Sequence, residues 1–469
     1  MKRSAATSNE SKRSAVMSSG TLPFANYHRA SSLGSGSFGS VVTVYNDDGE
    51  EFAFKTFLND DDEENDDSVD SDDRSYQKPK KLNLGAMREI SILRLLRGDN
   101  AHPNIVQLVD VHSDVSEEAA AAGIDGSLSV ALPLYKRGSL LDALERNQLG
   151  TLCPRRVKVA LAHGILSAVA YLHDNDIFHR DIKSDNIMLE PEEQGDGWRP
   201  ILIDFSIAKL VQSQENIAGE PVQHTGDMGT VAYTAPEIVA RDEYYGKPVD
   251  LYSVGVVLLE LLTGQPLSAN RDRHASEIVR TTLEGLPVDQ PFPDLLRGLL
   301  HRCPDKRLTA RQALAHPLFA KFGLKVPPVR ILNLSEALPL EVEEEDVSPK
   351  STAGRFPNKS RTFEKRQEII RKVCVELDCE NPMTYKAAFE YCRVLSQLDD
   401  TIDDLTQSQS LIHCCVLAAR FFEVYVRNLS ELDEMEQGIF QNWRLSDYVD
   451  EETTIFMIMD YCLYPRHFI

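Results

Sequence analysis

Apolar and polar residues alternate on both sides of residues 33–41, LGSGSFGSV, and the alternation continues through Val41-Val42-Thr43-Val44 and Phe52-Ala53-Phe54-Lys55. That two-residue period is the signature of strands, so the chain opens as a β-rich segment. Farther on the period lengthens: Met87-Arg88-Glu89-Ile90 falls on a helix, and after residue 361 the spacing predicts successive helices at Glu364–Leu377, Met383–Gln397, Gln407–Arg427 and Glu452–Tyr461. The longest apolar stretch, Val254 to Leu262, contains Glu260 and is too short to span a bilayer. No repeat is visible at a period of about 20 to 50 residues.

Three breaks in the pattern divide the chain. Residues 1–22 are rich in Ser, Ala and paired basics and are expected to form a disordered tail; Lys2-Arg3 and Lys12-Arg13 fit a nuclear-import signal or a solvated terminus equally well. Residues 60–73, DDDEENDDSVDSDD, carry ten acidic side chains in fourteen positions, which predicts a mobile acidic insert over 59–80. Residues 322–360 mix Pro, Ser and charge without helical spacing and read as a linker. The expected order is thus tail 1–22, first domain 23–321, linker 322–360, and helical domain 361–469.

Composition adds exclusions. A formal charge of -23 argues against a nucleic-acid surface, and the N-terminus lacks the apolar segment of a secretory signal. An intracellular protein, in nucleus or cytoplasm and without membrane contact, is expected. Eight cysteines include no CxxC pair; Cys414 and Cys415 beside His413 lack a second ligand pair, so core thiols are expected rather than zinc.

The chemistry lies in separated motifs. Gly34, Gly36 and Gly39 allow a hairpin backbone to lie close over a triphosphate, although a glycine-rich hairpin alone is weak evidence. Lys55 on a following strand can hold phosphate oxygens, and Glu89 on a helix can pair with Lys55. His179-Arg180-Asp181-Ile182-Lys183-Ser184-Asp185-Asn186 supplies a candidate base, Asp181, with Lys183 to stabilise the transferred group and Asn186 as a metal ligand; Asp204 is the second ligand. Ala235-Pro236-Glu237 follows.

With these six motifs in order, residues 24 to 321 resemble the eukaryotic protein kinases. The resemblance implies an α+β two-lobed fold, a β-rich N-lobe and helical C-lobe with ATP between them, using Mg2+ and acting on protein substrates. It further implies nucleotide contacts at Gly34, Ser35, Gly36, Ser37, Phe38, Gly39, Val41, Ala53 and Lys55, a gatekeeper at Leu132, and a hinge at Pro133 and Tyr135. Lys183 and Thr230 look like the serine/threonine pattern. Asp250 looks like the brace of the catalytic loop, and Arg307 like the partner of Glu237. One departure is Ser206, where the Asp-Phe-Gly motif ends in glycine. Since that glycine gives backbone freedom and no metal ligand, Ser206 is expected to alter switching more than chemistry.

Around Gly85-Ala86-Met87-Arg88-Glu89-Ile90-Ser91 the chain is similar to cyclin-dependent kinases in their αC helix. By that likeness Thr225 would be phosphorylated by an activating kinase, and Arg88, Arg180 and Lys209 would collect the phosphate. Thr234 and the short interval from Gly264 to Asp305 depart from that group, so proline preference stays open. Phe38 replaces the inhibitory tyrosine, while Ser37 matches the inhibitory threonine. The C-terminal helices resemble one cyclin box, making the last part an all-α cyclin-like domain with Arg420 and Asp460 at positions that face the αC region, within one chain or between two. Two alternatives stand beside this: a helical domain that recruits another partner or substrate, and an ATP-binding pseudokinase scaffold.

Overall fold

The computed structural model describes residues 27–36, 39–57, 81–113, 128–150, 153–192, 197–210, 233–240, 246–267, 275–333, 359–379, 382–398, 409–422, 445–459 and 462–464. The tail, the acidic insert, Ser37, Phe38, Thr225, Thr230 and Asp460 lie outside the described residues. The chain divides into two units, residues 1–58 with 109–134, and residues 59–108 with 135–469.

The first unit is a five-stranded antiparallel sheet in the order β1-β2-β3-β5-β4, with β1 Tyr27–Gly36, β2 Gly39–Asn46, β3 Glu51–Phe57, β4 Asp110–Ser113 and β5 Leu128–Pro133. Gly49, at φ 80°, closes the β2–β3 turn, with its N–H on the Asn46 carbonyl at 2.9 Å. Alternation puts Val42, Val44 and Phe54 on one face, where they form a core with Tyr27 and Ala131. The Tyr27 ring meets Phe52 and His112 edge-on at 5.7 and 5.3 Å.

The second unit is mostly helical. Its first helix, α1 (Leu84–Leu95), begins at Asn83, whose Oδ1 accepts the Ala86 N–H at 2.9 Å. Helix α2 (Leu140–Glu145) starts with a Ser139/Asp142 capping box. The twenty-residue α3 (Arg155–Asp174) follows, and then two small antiparallel pairs: β6 (Ile177–Phe178) with β9 (Lys209–Leu210), and β7 (Ile187–Pro191) with β8 (Trp198–Leu202). After α4 (Pro236–Val239) comes α5 (Lys247–Thr263), in which every residue from Asp250 to Leu261 is buried. A helix apolar on all sides is a core helix. It ends at Gly264 with φ 75°, where a Cβ would lie 2.6 Å from the Leu149 carbonyl oxygen. Helices α6 (Ala275–Glu284), α7 (Pro291–Leu299), α8 (Ala310–Leu314) and α9 (Pro317–Ala320) complete this part.

Part of the span read as a linker from residue 322 lies among the described residues. Residues 325–333 run as an extended strap whose backbone groups are held by side chains: Asn175 bonds the Arg330 carbonyl (2.9 Å) and the Leu332 N–H (2.8 Å), and Asn100 exchanges two bonds with Asn333. Polar Asn and Arg side chains therefore substitute for secondary structure here, a signal that composition does not carry.

The C-terminal helices are α10 (Lys359–Glu376), α11 (Pro382–Leu398), α12 (Gln409–Phe422) and α13 (Leu445–Ile458); α11 matches the span expected to within a residue, α10 starts five residues before the expected Glu364 and α13 seven before the expected Glu452, while residues 407, 408 and 423–427 of the third and 460 and 461 of the last lie outside the described residues. Helix α12 is central, packing against α10, α11, α13 and α1, and from Cys414 to Ala419 it is buried on every face. All eight cysteines are free, and no cluster of His, Cys, Asp or Glu among the described residues could hold a metal. No described helix is long and apolar enough to cross a membrane.

Candidate active site

In the sheet unit, the hairpin joins Gly34 to Val41 in register and Gly36 to Gly39, with a bulge between Ser32 and Gly34. Two glycines serve different needs. Gly39 has φ 141°, and a Cβ there would lie 1.9 Å from the Thr56 carbonyl oxygen, so only glycine fits. At Gly34 a Cβ would meet nothing within 4 Å, leaving open space over the strand. Val41 pairs with Lys55, and Ala53 with Leu132, while Pro133 pairs with Phe52. The Lys55 Nζ lies 4.9 Å from the centre of the Phe57 ring. These positions, with Ser35, thus fall on four adjacent strands, β1, β2, β3 and β5.

In the helical unit, the loop after β6 is fixed by Asp250 on α5. Its Oδ1 accepts the Arg180 N–H at 2.8 Å, and its Oδ2 accepts the His179 N–H at 3.0 Å and pairs with His173 Nε2 at 2.9 Å. Burial pushes the Asp250 carboxyl up, but the His173 hydrogen bond and charge, with His179 and the Arg180 amide, hold it below the usual range. His179 is wholly buried; its Nδ1 accepts the Asp181 N–H at 3.3 Å, so its Nε2 carries the proton and donates to the Ile203 carbonyl at 3.0 Å. Burial lowers its pKa, in keeping with a neutral ring, although Asp250, Asp181 and Asp204 oppose this.

This scaffold brings Asp181, Lys183, Asn186 and Asp204 together. Lys183 Nζ lies 2.8 Å from Asp181 Oδ2, and Asn186 Nδ2 donates to both the Asp181 carbonyl and Oδ2 at 2.9 Å. Ile203 N–H donates to the Asn186 carbonyl at 3.0 Å, which ties the segment carrying Asp204 to the catalytic loop. Arg180 and Asp204 both take left-handed backbone conformations, φ 69° and 64°. Such conformations persist only where surrounding bonds fix them, as Asp250 does for Arg180. With Asn186 Nδ2 committed to Asp181, its Oδ1 and the Asp204 carboxylate are hard-oxygen donors on segments joined by the Ile203–Asn186 bond. Mg2+ is bound by such donors together with substrate phosphates, so the residues present fit it.

Tyr233 carries no motif signal strong enough to select it. It is buried, and its hydroxyl pairs with Ser184 Oγ at 2.7 Å and donates to Glu260 at 3.0 Å, so Glu260, like Asp250 on the same helix, anchors the catalytic loop. Burial, then Glu260, pushes the Tyr233 pKa well up. Tyr135, expected at the hinge, has its pKa raised by burial, and its carbonyl accepts the Gly138 N–H at 3.1 Å. Glu237 and Arg307 form a buried two-pronged pair at 2.5 and 2.6 Å.

Around α1 the C-terminal helices make direct contacts. Arg420 Nη2 donates to the Leu82 carbonyl at 2.9 Å, and Glu452 Oε2 accepts the Leu82 N–H at 2.8 Å, while Arg420 and Glu452 pair with each other. Tyr448 OH donates to Glu452 at 2.5 Å. Glu452 is thus the carboxylate found beside Arg420. At the other end, the Leu463 N–H donates to Ser91 Oγ at 3.2 Å, and the Cys462 thiol lies 3.7 Å from the Ser91 carbonyl. Tyr464 is buried, and its hydroxyl accepts the Leu210 N–H at 3.3 Å, next to Lys209. Burial pushes Tyr464 up to about 12 although Arg88 and Arg180 act to lower it, so two of the three basic positions expected to collect a phosphate act on this tyrosine.

The protein kinase domain family matches residues 27–319. The chain belongs to the protein kinase family. It is similar to the liver/testis phosphorylase b kinase gamma catalytic chain of Mus musculus, 30% identical over 292 residues (59% of this chain, 62% of that protein). CDPK-related kinase 7 of Arabidopsis thaliana is 32% identical over 258 residues (52% and 39%). The chain therefore spans about three fifths and two fifths of these relatives' lengths. ATP and a divalent metal are used by protein kinase domains generally, and protein substrates go with them.

Proposed function

We propose that the chain is an ATP- and Mg2+-dependent serine/threonine protein kinase. The observation that carries this is the convergence of Lys183 and Asn186 on Asp181 Oδ2, beside the Asn186 and Asp204 oxygens. Both donors take Oδ2, so Oδ1 is the oxygen left among the described residues to accept the proton of an incoming Ser or Thr hydroxyl. Lys183 Nζ, held on that carboxylate, is placed to offset negative charge developing beside it. Bound ATP with Mg2+ supplies the transferable phosphoryl group and screens its charge. Purified full-length protein should phosphorylate a degenerate Ser/Thr peptide library, and Asp181→Asn should lose at least about a hundredfold in kcat while keeping its circular dichroism spectrum. Retained turnover in that variant sinks the assignment.

We further propose that the C-terminal helices act on the kinase as a cyclin does. The contacts of Arg420, Glu452 and Leu463 with the segment around α1 support this reading, as does that of Tyr464 with the start of the activation segment. The relatives named above are kinases of other types, so the cyclin-like reading rests on this contact geometry. Phosphorylation of Thr225 by a separate kinase and an intracellular location belong to the same proposal. Arg420→Glu should lower activity of the isolated protein; full activity would favour a recruiting role for these helices instead.

A further inference from the structure

Ser206 stands where the family pattern has glycine, and its surroundings give the hydroxyl a task. The side chain is 2% exposed, its Oγ donates to Asp204 Oδ1 at 2.8 Å, and its N–H approaches the same oxygen at 3.4 Å. Its own backbone is not in the left-handed region, whereas that of Asp204 is. The freedom that glycine would confer is therefore unused in this arrangement, and a Cβ at 206 narrows the alternatives open to the segment. On its other side Ser206 lies against the first turn of α1: a Cβ on Gly85 would sit 3.4 Å from both Ser206 Cβ and its carbonyl oxygen.

We propose that Ser206 is a positioning residue for the metal-binding carboxylate, its hydroxyl setting the orientation of Asp204 before a cation arrives. The inference rests on the reading of Asp204 as a metal ligand. A carboxylate already fixed by a hydrogen bond gives up less rotamer freedom on ligation, so the cation binds more tightly than to an untethered aspartate. Both bonds from Ser206 fall on Oδ1, so neither occupies Oδ2, through which the carboxylate can coordinate. This changes the expectation from the motif alone: serine here touches the ligand itself as well as restricting the backbone.

The test uses the full chain and two variants, Ser206→Ala, which deletes only the hydroxyl, and Ser206→Gly, which cannot clash and restores the family residue. Amide hydrogen exchange of residues 204–207 is read in the nucleotide-free protein. Mn2+ affinity in the presence of a non-hydrolysable ATP analogue is read by electron paramagnetic resonance. Both variants should exchange faster and bind Mn2+ about tenfold more weakly, a loss of about 1.4 kcal/mol. Unchanged exchange and unchanged Mn2+ affinity in both overturn the proposal. Asp204→Ala separates the levels: if it abolishes Mn2+ binding while the serine variants do not alter it, only the role of Ser206 fails. If Asp204→Ala binds Mn2+ normally, the ligand assignment fails and takes the inference with it.

Discussion

Arg420 and Glu452 grip the main chain of one residue from both sides: the guanidinium holds the Leu82 carbonyl at 2.9 Å, and the carboxylate holds the Leu82 N–H at 2.8 Å, with the two charges paired to each other. Leu82 immediately precedes Asn83, the cap of α1, so the C-terminal helices fix the entry to the helix that carries Glu89. Glu452 is fully buried. Removing one member of such a pair leaves an uncompensated charge, and Arg420→Ala should destabilise the protein by about 3 to 5 kcal/mol. Urea denaturation measures it; a loss below about 1 kcal/mol would mean the clamp is loose in solution.

The Arg307–Glu237 pair is buried on both sides, and Arg307 also donates to the carbonyls of His301 and Pro248. Arg307→Met should cost about 3 to 5 kcal/mol by stranding Glu237. Arg307→Lys keeps the charge but loses the planar fork, and should cost less. Equal losses in the two variants would show that the charge contributes nothing.

The two hairpin glycines should separate in their effects. Gly39→Ala forces a Cβ onto the Thr56 carbonyl and should lower the melting temperature as well as nucleotide binding. Gly34→Ala has room, so it should leave the melting temperature unchanged and weaken binding of an ATP analogue measured by calorimetry. Unaltered binding in Gly34→Ala would remove this residue from the nucleotide site.

His102 gives a pH dependence. It is stacked on Tyr171 with ring centres 5.1 Å apart, and its Nδ1 accepts the Asn104 N–H at 3.2 Å. Burial, then Arg330, pushes its pKa down to about 4 from 6.5. The unfolded chain binds the proton more readily, so the stability tied to this ring is complete above pH 6.5 and is lost as pH falls toward 4, on the order of 3 kcal/mol. Burial lowers His179 and His163 in the same sense, so His102→Gln should reduce the slope of stability against pH in that window without abolishing it. An unchanged slope would place the pH dependence elsewhere.

What the sequence disclosed was whatever chemistry binds to fixed spacing. Asp181, Lys183, Asn186 and Asp204 sit in short motifs because a loop and a turn can present them only at those intervals, and the helical period of residues 382–398 followed from burial of one face. Three features were not legible because they depend on distant segments meeting. Glu452 is 370 residues from Leu82, Tyr464 is 254 from Leu210, and the strap at 325–333 is fixed by asparagines far back in the chain. Glu260 was visible as a charge in an apolar run, but its partner Tyr233 was not. Ser206 was visible as an exception, and only its distance to Asp204 gave the exception a meaning.

Because both groups of Leu82 that are gripped belong to the main chain, the grip is indifferent to which side chain occupies that position. A scan that varies residue 82 among apolar residues would report only how well the surrounding space is filled, and the contact itself would stay silent. Proline alone, lacking the donor, would register it. The specificity of this junction is thus written in the two charges that do the holding, and the segment they hold can drift in sequence while the attachment persists.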